Sequence, residues 1–367
     1  MQNLPLQFSE RIIFSLRSLY NRYGYSQFRM GKFEEYDLYA RNKDFLISDS
    51  VLTFMDTNGK LMALKPDVTL SIVKNSKDMP DTVQKLYYNE NVYRVAKGSR
   101  SFREMMQVGL EVLGSVDDYC ISEVLTLAAE SLHCIAEESV LNISHMGLLS
   151  DVLKQAGVPY SAKGQVLKCI GEKNLHGLEK ISRELGVTEE NISLLKQLIS
   201  CCGAPETVLP ELRALLGSSE VLDQLRSVLD ALKGETCRTA LRLDFSVVSD
   251  SRYYNGIVFK GYVPGLPSAV LSGGQYDSLM QRLNRRSSAI GFAVYMDVVE
   301  QLPQKGREFD VDAVLLYEAG TPLKDIRHWV AELNQQGYSV LVQQRLPENM
   351  KYRKLLKIDG DEVVILE

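Results

Sequence analysis

The segment that best indicates the fold is Glu104-Met105-Met106-Gln107-Val108-Gly109-Leu110-Glu111-Val112. Successive side chains of a strand point to opposite faces, which divides this segment into two sets. The apolar set is Met106, Val108, Leu110 and Val112, and the other set is Gln107, Gly109 and Glu111. The apolar set predicts packing against a core, whereas the other set indicates either the floor of a pocket or a solvated sheet face. In a pocket, Gly109 would leave room for a ligand, and Glu111 could accept hydrogen bonds from an ammonium or imidazole group.

Further strands and helices are predicted on both sides of this segment. Residues 51–55 and 61–64 flank Asn58-Gly59, a dipeptide that favours a hairpin because both positions tolerate positive φ. The other predicted strands cover residues 85–94, 239–247, 253–263, 268–272 and 289–295. Helical spacing of apolar residues predicts helices over residues 8–23 and 121–136. A sheet accompanied by helices is therefore expected.

The pattern changes twice along the chain. From about Ser144 to Glu235 strand signals vanish, and amphipathic runs that end at glycine predict an all-helical insertion. Residues 303–307 are polar and contain Pro and Gly, which predicts a linker before a small α/β domain. We therefore expect three parts: a domain formed by residues 1–143 and 236–302, the helical insertion at 144–235, and an α/β domain at 308–367.

Composition excludes several classes of protein. The 367 residues, 45% hydrophobic and 24% charged, are those of a globular chain with several domains. Charged residues inside the first apolar pattern (Glu10, Arg11 and Arg17) argue against a signal peptide or a membrane span, so a cytoplasmic protein is predicted. The net charge of −5 gives no general reason to bind nucleic acid, although a local basic patch remains open.

The sequence contains no pattern typical of a metal or nucleophile site. Its six cysteines include no CxxC pair, and four histidines form no recognisable triad or zinc spacing. We predict no cofactor, no metal and no catalytic residue from these features.

Two other segments are candidates for ligand contacts. Residues 95–103 carry Lys97, Arg100 and Arg103 beside Gly98, directly after Arg94, and could hold a phosphate or carboxylate. A solvated basic loop explains them equally well. Tyr253 and Tyr254 begin another predicted strand, where alternation allows only one of them to line a given pocket. Packing on the sheet is the alternative for either tyrosine.

Taken in order, these segments resemble the catalytic domain of class II histidyl-tRNA synthetases and of their relatives, the ATP phosphoribosyltransferase regulatory subunits. The likeness spans roughly residues 5 to 302. Residues 64–69 resemble the family segment LRPE(or D)xT, and residues 103–111 resemble its RxFHQxGxE strand, with Met105 and Met106 in place of phenylalanine and histidine. The resemblance implies an α+β fold: a class II aminoacyl-tRNA synthetase-like antiparallel sheet with helices, the helical insertion and the small C-terminal α/β domain.

The resemblance also implies a histidine-like ligand pocket. In the synthetases the acid and threonine of the first segment hold the amino group of histidine, which assigns that role to Asp67 and Thr69. Gln107 and Glu111 fall on positions that contact bound histidine, and Arg94 matches the arginine of the second motif. The complete implied set is Asp67, Thr69, Arg94, Arg103, Gln107, Glu111, Tyr253 and Tyr254.

Three departures from the synthetases concern positive charge. Ser249 stands where an RGLDYYxG segment supplies a catalytic arginine that helps to activate the carboxylate of histidine, and Arg252 is displaced three positions from it. Val298 replaces the arginine of the third motif that packs against ATP, and Gln275 replaces that of GGRYD. Each lost charge typically costs a few kcal/mol of transition-state stabilisation, so adenylate formation is not expected.

These departures favour the regulatory branch of the family. That branch implies a noncatalytic subunit, needed for the activity and histidine feedback of ATP phosphoribosyltransferase, a glycosyltransferase of histidine biosynthesis. The implied partners are its catalytic subunit, histidine as a candidate ligand, and a second copy bound through the first motif, residues 23–34, where Gly31 replaces an expected proline. Neither a membrane nor tRNA is an expected partner. The alternatives are a working histidyl-tRNA synthetase and a synthetase paralogue that binds another amino acid.

Overall fold

The computed structural model describes residues 6–43, 51–95, 101–232, 239–248, 253–303, 309–360 and 362–366. The chain forms two compact units, Met1–Leu302 and Pro303–Glu367. The first unit contains a nine-stranded and a three-stranded sheet with two core clusters, and the second contains a four-stranded sheet with its own small core.

The first unit begins with a helix and a small sheet. Its first elements are α1 (Phe8–Arg22), β1 (Ser26–Gln27), β2 (Phe33–Glu35), α2 (Tyr36–Arg41), β3 (Thr53–Met55), β4 (Leu61–Leu64) and α3 (Thr69–Asn75). The predicted first helix is confirmed, and Gly24, with φ of +81°, follows its end. The predicted hairpin is confirmed as β3 and β4, with Gly59 at φ of +75° in the turn. β2, β4 and β3 form a three-stranded sheet.

A long hairpin and a long helix follow. These elements are β5 (Val83–Val95), β6 (Phe102–Gly114), α4 (Asp118–Ile135) and β7 (Val140–His145). β5 and β6 are antiparallel, with Tyr88 opposite Gly109. Asp117 caps the start of α4, where its carboxylate accepts a hydrogen bond from the amide of Cys120 at 2.9 Å. Both predicted strands and the helix are confirmed, each slightly longer than expected.

The next stretch is mostly helical. Its elements are α5 (Met146–Gln155), a 3₁₀ helix (Tyr160–Ala162), α6 (Lys163–Gly171), α7 (Leu175–Glu184), α8 (Glu189–Ser200), β8 (Cys202–Gly203), α9 (Pro205–Leu216) and α10 (Glu220–Ala231). The prediction that strands are absent after Ser144 was wrong at two places, because β7 continues to His145 and β8 pairs with a later strand. β8 has only two residues, which are too few to show the alternation that predicts a strand. Leu149 of α5 and Leu167 of α6 belong to the same core as the sheet.

The first unit ends with the strands that complete its large sheet. They and their helices are β9 (Ala240–Asp244), β10 (Ile257–Tyr262), β11 (Leu271–Gln275), α11 (Asp277–Arg282), β12 (Ser288–Tyr295) and α12 (Met296–Val299). The strand predicted at residues 268–272 is observed later, as β11, which contains Gly273 and Gly274. A Cβ atom at Gly273 would overlap the carbonyl of Gly291 on β12, so the close approach of these strands explains the glycine.

The large sheet has nine strands in the order β1-β5-β6-β12-β11-β10-β7-β9-β8. β5, β6, β12, β11, β10 and β7 are antiparallel neighbours, whereas β1 and β9 add in parallel. Val108, Leu110 and Val112 of β6 are buried in one core with residues of α1 and α4. That packing leaves the other face of β6 for the cavity that carries the candidate site. The antiparallel-rich sheet with helices confirms the predicted α+β class.

The second unit is a small α/β arrangement. Its elements are β13 (Val311–Leu316), α13 (Leu323–Gln335), β14 (Val340–Gln343), β15 (Tyr352–Asp359) and β16 (Glu362–Ile365). They form a four-stranded sheet in the order β14-β13-β15-β16. β15 was not predicted, because its adjacent Leu355 and Leu356 and its three basic residues hide the alternation. Its core is small: Ala313, Leu315, Leu356 and Ile358, with Trp329 of α13 packed against them.

None of the described helices is long and apolar enough to cross a membrane.

Candidate ligand-binding site

A cavity of about 360 Å³ lies on the face of the large sheet that carries Gln107 and Glu111. Its lining includes these predicted residues: Asp67, Thr69, Arg94, Gln107, Glu111, Tyr253 and Tyr254. They come from β5, β6, the start of α3 and the segment before β10, so the fold brings together residues that are far apart in sequence. Arg103 lies outside the lining: it is exposed and stands opposite Arg94 across the β5–β6 hairpin.

The alternation predicted for β6 places its two polar side chains in this cavity. Gln107 and Glu111 are 4% and 2% exposed, while Val108 and Leu110 between them are fully buried in the opposite core. Met106 departs from the predicted core face and is 37% exposed. The reason is that β12 pairs with β6 only from Gln107 onward, so Met106 lies in a two-stranded arm beyond the core.

Glu111 is the most enclosed acid of the cavity. Its Oε1 accepts a hydrogen bond from Thr69 Oγ1 at 2.9 Å, and its Oε2 accepts one from the Tyr276 hydroxyl at 2.7 Å. Burial raises the pKa of Glu111 to about 8, and the two hydroxyl donors oppose that rise only in part. A Cβ atom at Gly291 would overlap Glu111 Oε2, so this glycine makes the position of the carboxylate possible. A buried acid that only two neutral donors compensate, in the part of the chain that the structure describes, favours a ligand that brings a proton donor or a positive charge.

Asp67 is held beside Glu111 by the start of α3 and by Arg94. Its Oδ1 accepts a hydrogen bond from the amide of Leu70 at 2.9 Å, and its Oδ2 lies 3.6 Å from a terminal nitrogen of Arg94. Burial raises the pKa of Asp67, while the Arg94 charge and the helix amides lower it. Arg94 Nε also donates to the carbonyl of Pro66 at 2.6 Å. Arg94 therefore fixes the acidic segment in position.

The prediction that only one of the two tyrosines can line the cavity was wrong, since Tyr253 and Tyr254 both do. Their ring centroids are 4.5 Å apart, and Tyr253 also lies 6.1 Å from Tyr276. Strand alternation does not apply to them because β10 begins only at Ile257. The tyrosines form an aromatic wall before the strand starts.

The expected room above Gly109 is filled by a tyrosine. A Cβ atom at Gly109 would overlap the hydroxyl end of Tyr88, its partner across β5 and β6. Gly109 therefore accommodates a protein side chain, and the prediction that it leaves space for a ligand was wrong. The small side chains that line the cavity are instead Ala293 on β12 and Ser272 on β11.

Several lining residues were not predicted from the sequence, among them Tyr88, Lys260, Tyr276 and Tyr295. Tyr276 could have been predicted, because it is the tyrosine of the segment that resembles GGRYD. The other three depend on which strands become neighbours. Ser272 and Tyr295 illustrate this, since their hydroxyls lie 2.5 Å apart although they belong to β11 and β12.

Gln275 and Val298, which replace synthetase cations, contribute to the fold. Gln275 Oε1 accepts a hydrogen bond from the amide of Ile257 at 2.8 Å, and its side chain occupies the space where Gly256 would carry a Cβ atom. Val298 packs against the main core. Neither residue is among those that line the cavity. Ser249 and Arg252, and Lys97, Gly98 and Arg100 of the basic loop, lie outside the described residues.

Over the described ranges, no group of His, Cys, Asp and Glu side chains could hold a metal ion. The described cysteines are free thiols. The chemistry of the cavity is therefore that of carboxylates, hydroxyls, one amide and two basic side chains, which suits a small polar ligand.

Comparisons with known proteins agree with this architecture. The sequence profile of a family described as histidyl-tRNA synthetase matches residues 6–299. An ATP phosphoribosyltransferase regulatory subunit from Desulfitobacterium hafniense (strain Y51) is 30% identical over 299 residues, which cover 80% of this chain and 76% of that protein.

Two solved structures share the fold. An ATP phosphoribosyltransferase regulatory subunit/histidyl-tRNA synthetase from Bacillus halodurans C has a TM-score of 0.75 at 23% identity, covering 91% of this chain and 88% of that one. A chain of an ATP phosphoribosyl transferase complex from Thermotoga maritima has a TM-score of 0.63 at 22% identity, with coverages of 79% and 97%. These likenesses show that the fold is class II synthetase-like, as predicted.

Proposed function

The chain belongs to the histidyl-tRNA synthetase family, among the ATP phosphoribosyltransferase regulatory subunits, and we propose that it makes a catalytic subunit of that enzyme active and responsive to histidine. Its role in histidine biosynthesis is regulatory, and the phosphoribosyl transfer itself belongs to the partner. The transferase is a glycosyltransferase, and this chain carries no part of its chemistry.

One observation supports this function above the others. The cavity has two buried acids at one end, whereas two residues that replace the cations of the synthetases contribute to the fold. Glu111 and Asp67 remain buried with their hydrogen-bond partners. Gln275, by contrast, accepts a hydrogen bond from a backbone amide, and the partly buried Val298 packs against the main core. A site of this kind can bind an amino acid, whereas Gln275 and Val298 offer no charge to a triphosphate.

Histidine is the ligand that fits the proposed role. Its imidazole can donate a hydrogen bond to Glu111, and its ammonium can be held by Asp67 and Thr69 at the start of α3. The tyrosines 253, 254 and 276 offer flat apolar walls to the ring. Binding of histidine in this cavity would link the concentration of the pathway's end product to the activity of the partner.

The regulatory function is tested with the cognate short catalytic subunit. Purified chain is added to that subunit, and the rate of ATP phosphoribosyl transfer is measured with and without L-histidine. We expect a higher rate on mixing and a lower rate when histidine is added. Absence of both a complex and a rate increase would overturn the proposed function.

A matched pair of variants separates activation from histidine feedback. Glu111→Gln should still raise the rate of the catalytic subunit but lose histidine feedback, because it changes only the buried ligand acid. Glu104→Gln is the control, since Glu104 is an exposed acid on the same strand. It should preserve both properties.

We also propose that two copies associate through the segment that resembles the first motif of the family. Phe33 on β2 is 52% exposed, and its ring packs at 90° against that of Phe54 on β3 with 5.4 Å between centroids. An exposed aromatic pair next to this segment suits a protein interface. Sedimentation should show a dimer that Phe33→Ser converts to monomers and that Phe14→Ser, a change at an exposed phenylalanine of α1, leaves intact.

Binding of tRNA is not part of the proposal. The chain has a net charge of −5, and its C-terminal unit is small. We propose a role in packing or assembly for that unit.

A further inference from the structure

One wall of the cavity belongs to a turn that follows β9. Val247 and Val248 of this turn line the cavity. The amide of Val247 donates to the carbonyl of Asp244 at 3.0 Å, and the amide of Val248 donates to the carbonyl of Ser246 at 2.9 Å. Residues 244–248 form this wall turn, and its hydrogen bonds fix the backbone that carries two aliphatic side chains of the cavity.

The carboxylate of Asp244 connects the wall turn to the helical insertion. Its Oδ1 accepts hydrogen bonds from the amide of Ser246 at 2.9 Å and from the hydroxyl of the same residue at 2.6 Å. Its Oδ2 accepts one from Lys173 Nζ at 3.1 Å. Lys173 lies between α6 and α7, so this ion pair joins the insertion to the turn that forms the cavity wall.

A packing contact joins the same two segments. Gly171 is the last residue of α6, and the α6–α7 turn, residues 172–174, follows it. A Cβ atom at Gly171 would lie only 2.6 Å from Val248 Cγ2. The branched side chain of a valine has little freedom to move away from such a contact. The end of α6 therefore packs directly against a residue that lines the cavity.

The α6–α7 turn is exposed and includes a residue with a left-handed backbone, Lys173, at φ of 52°. The amides of Lys173 and Asn174 donate to the carbonyls of Ile170 at 3.0 Å and Cys169 at 2.9 Å, respectively. Asn174 Oδ1 accepts a hydrogen bond from the amide of Gly177 at 2.8 Å and caps α7. An exposed turn of this kind opens more readily than the helices that it joins, so its contacts with the wall turn help to keep it closed.

We propose that Lys173 is a positioning residue that ties the α6–α7 turn to the wall turn, so that a ligand in the cavity stabilises both turns together. The ligand is the amino acid of the proposed function, on which this inference rests. A ligand that packs against Val247 and Val248 favours the closed wall turn. While that turn is closed, Asp244 holds Lys173, and opening of the α6–α7 turn must break the ion pair. Occupation of the cavity thereby stabilises a part of the surface of the helical insertion.

Hydrogen exchange of the full chain, measured with and without L-histidine, tests this link. At a histidine concentration of about ten times its Kd, the amides of Lys173, Asn174 and Gly177 should exchange about fivefold to tenfold more slowly. Lys173→Met should lose most of this slowing. Its histidine affinity, measured by calorimetry, should stay within about threefold of wild type, because Lys173 is not among the residues that line the cavity.

Lys168→Met is the matched control, since it removes the same kind of side chain from α6. Lys168 is exposed and lies 3.9 Å from the carboxylate of Glu172, a surface pair of little expected strength. This variant should keep the slowing that histidine causes in wild type. A loss in Lys168→Met as large as that in Lys173→Met would overturn the proposed route through Asp244.

Other results would also contradict the link. If histidine slowed exchange of the Leu70 amide, beside the acidic end formed by Asp67 and Glu111, but not of the α6–α7 turn, the link would be overturned while histidine stayed the ligand. If Lys173→Met exchanged faster by the same factor with and without histidine, Lys173 would have only a structural role. If calorimetry showed no histidine binding to wild type, the proposed ligand would be wrong, and this inference with it.

Discussion

The acidic end of the cavity and the Gln275–Val298 region come from the same domain but have opposite relations to stability. At the acidic end, Glu111 is buried and has no cationic partner among the described residues; its burial raises its pKa and opposes folding when it is charged. Gln275 instead accepts a hydrogen bond from a backbone amide, and the partly buried Val298 packs against the core. The proposed ligand site therefore lies where burial of an acid costs stability, whereas Gln275 and Val298, which replace synthetase cations, contribute to the fold.

The largest expected effect concerns the pH dependence of stability at Glu111. Its pKa is raised from 4.5 to about 8 in the folded chain, so its favourable contribution is complete below pH 4.5 and is lost as pH rises through 8. The loss should be on the order of 4 kcal/mol over that range. Denaturant unfolding from pH 5 to 9 should show the decline in wild type and a much flatter profile in Glu111→Gln. Identical pH profiles of the two proteins would mean that burial of Glu111 does not reduce the stability of the folded chain.

The next effect is the loss of ligand affinity in the same variant. Replacing the carboxylate of Glu111 by an amide should weaken L-histidine binding about a hundredfold, because a charge-assisted hydrogen bond is lost. Calorimetry at pH 8 measures the change, with Glu104→Gln as the control. An unchanged affinity would show that the imidazole does not contact Glu111, and the acidic end would then not be the ligand site.

A glycine substitution probes how closely the acidic end is packed. A Cβ atom at Gly291 would overlap Glu111 Oε2, whereas one at Gly164 in α6 would meet no atom within 4 Å. Gly291→Ala should reduce the free energy of unfolding by about 2 kcal/mol and weaken histidine binding, through overpacking. Gly164→Ala should be neutral or stabilising, since alanine favours helix. Equal stability of the two variants in urea would contradict the proposed packing.

The smallest effect tests the structural role of Gln275. Gln275→Ala removes the acceptor of the Ile257 amide and should cost about 1 kcal/mol of stability while leaving histidine affinity unchanged. Gln281→Ala, at an exposed position of α11, is the control and should change stability very little. If Gln275→Ala weakened histidine binding without reducing stability, Gln275 would contact the ligand and would not have the structural role described here.

The parts that could be predicted from sequence are those with a local period. Alternation in β6 located Gln107 and Glu111, and helical spacing located α1 and α4. The resemblance added Asp67 and Thr69, which lie at a turn and a helix start where no period exists. These features depend on a few consecutive residues.

The parts that could not be predicted depend on strand order. Tyr88, Ser272 and Lys260 line one cavity only because β6 pairs with β12, which brings the β5–β6 hairpin beside strands that lie far later in the chain. The space above Gly109 was misjudged for the same reason, since its occupant comes from the partner strand. Tyr253 and Tyr254 were assigned to a strand that starts later, so the alternation rule did not apply.

The central claim is that the amino-acid end of the site remains while activation of histidine by ATP has been lost. The most direct test is histidine-dependent ATP–pyrophosphate exchange by the pure chain, at a histidine concentration that calorimetry shows to saturate it. We expect a saturated site with no exchange above the background measured without histidine. Exchange that depends on histidine and disappears in Glu111→Gln would contradict this loss of activation and identify a working synthetase.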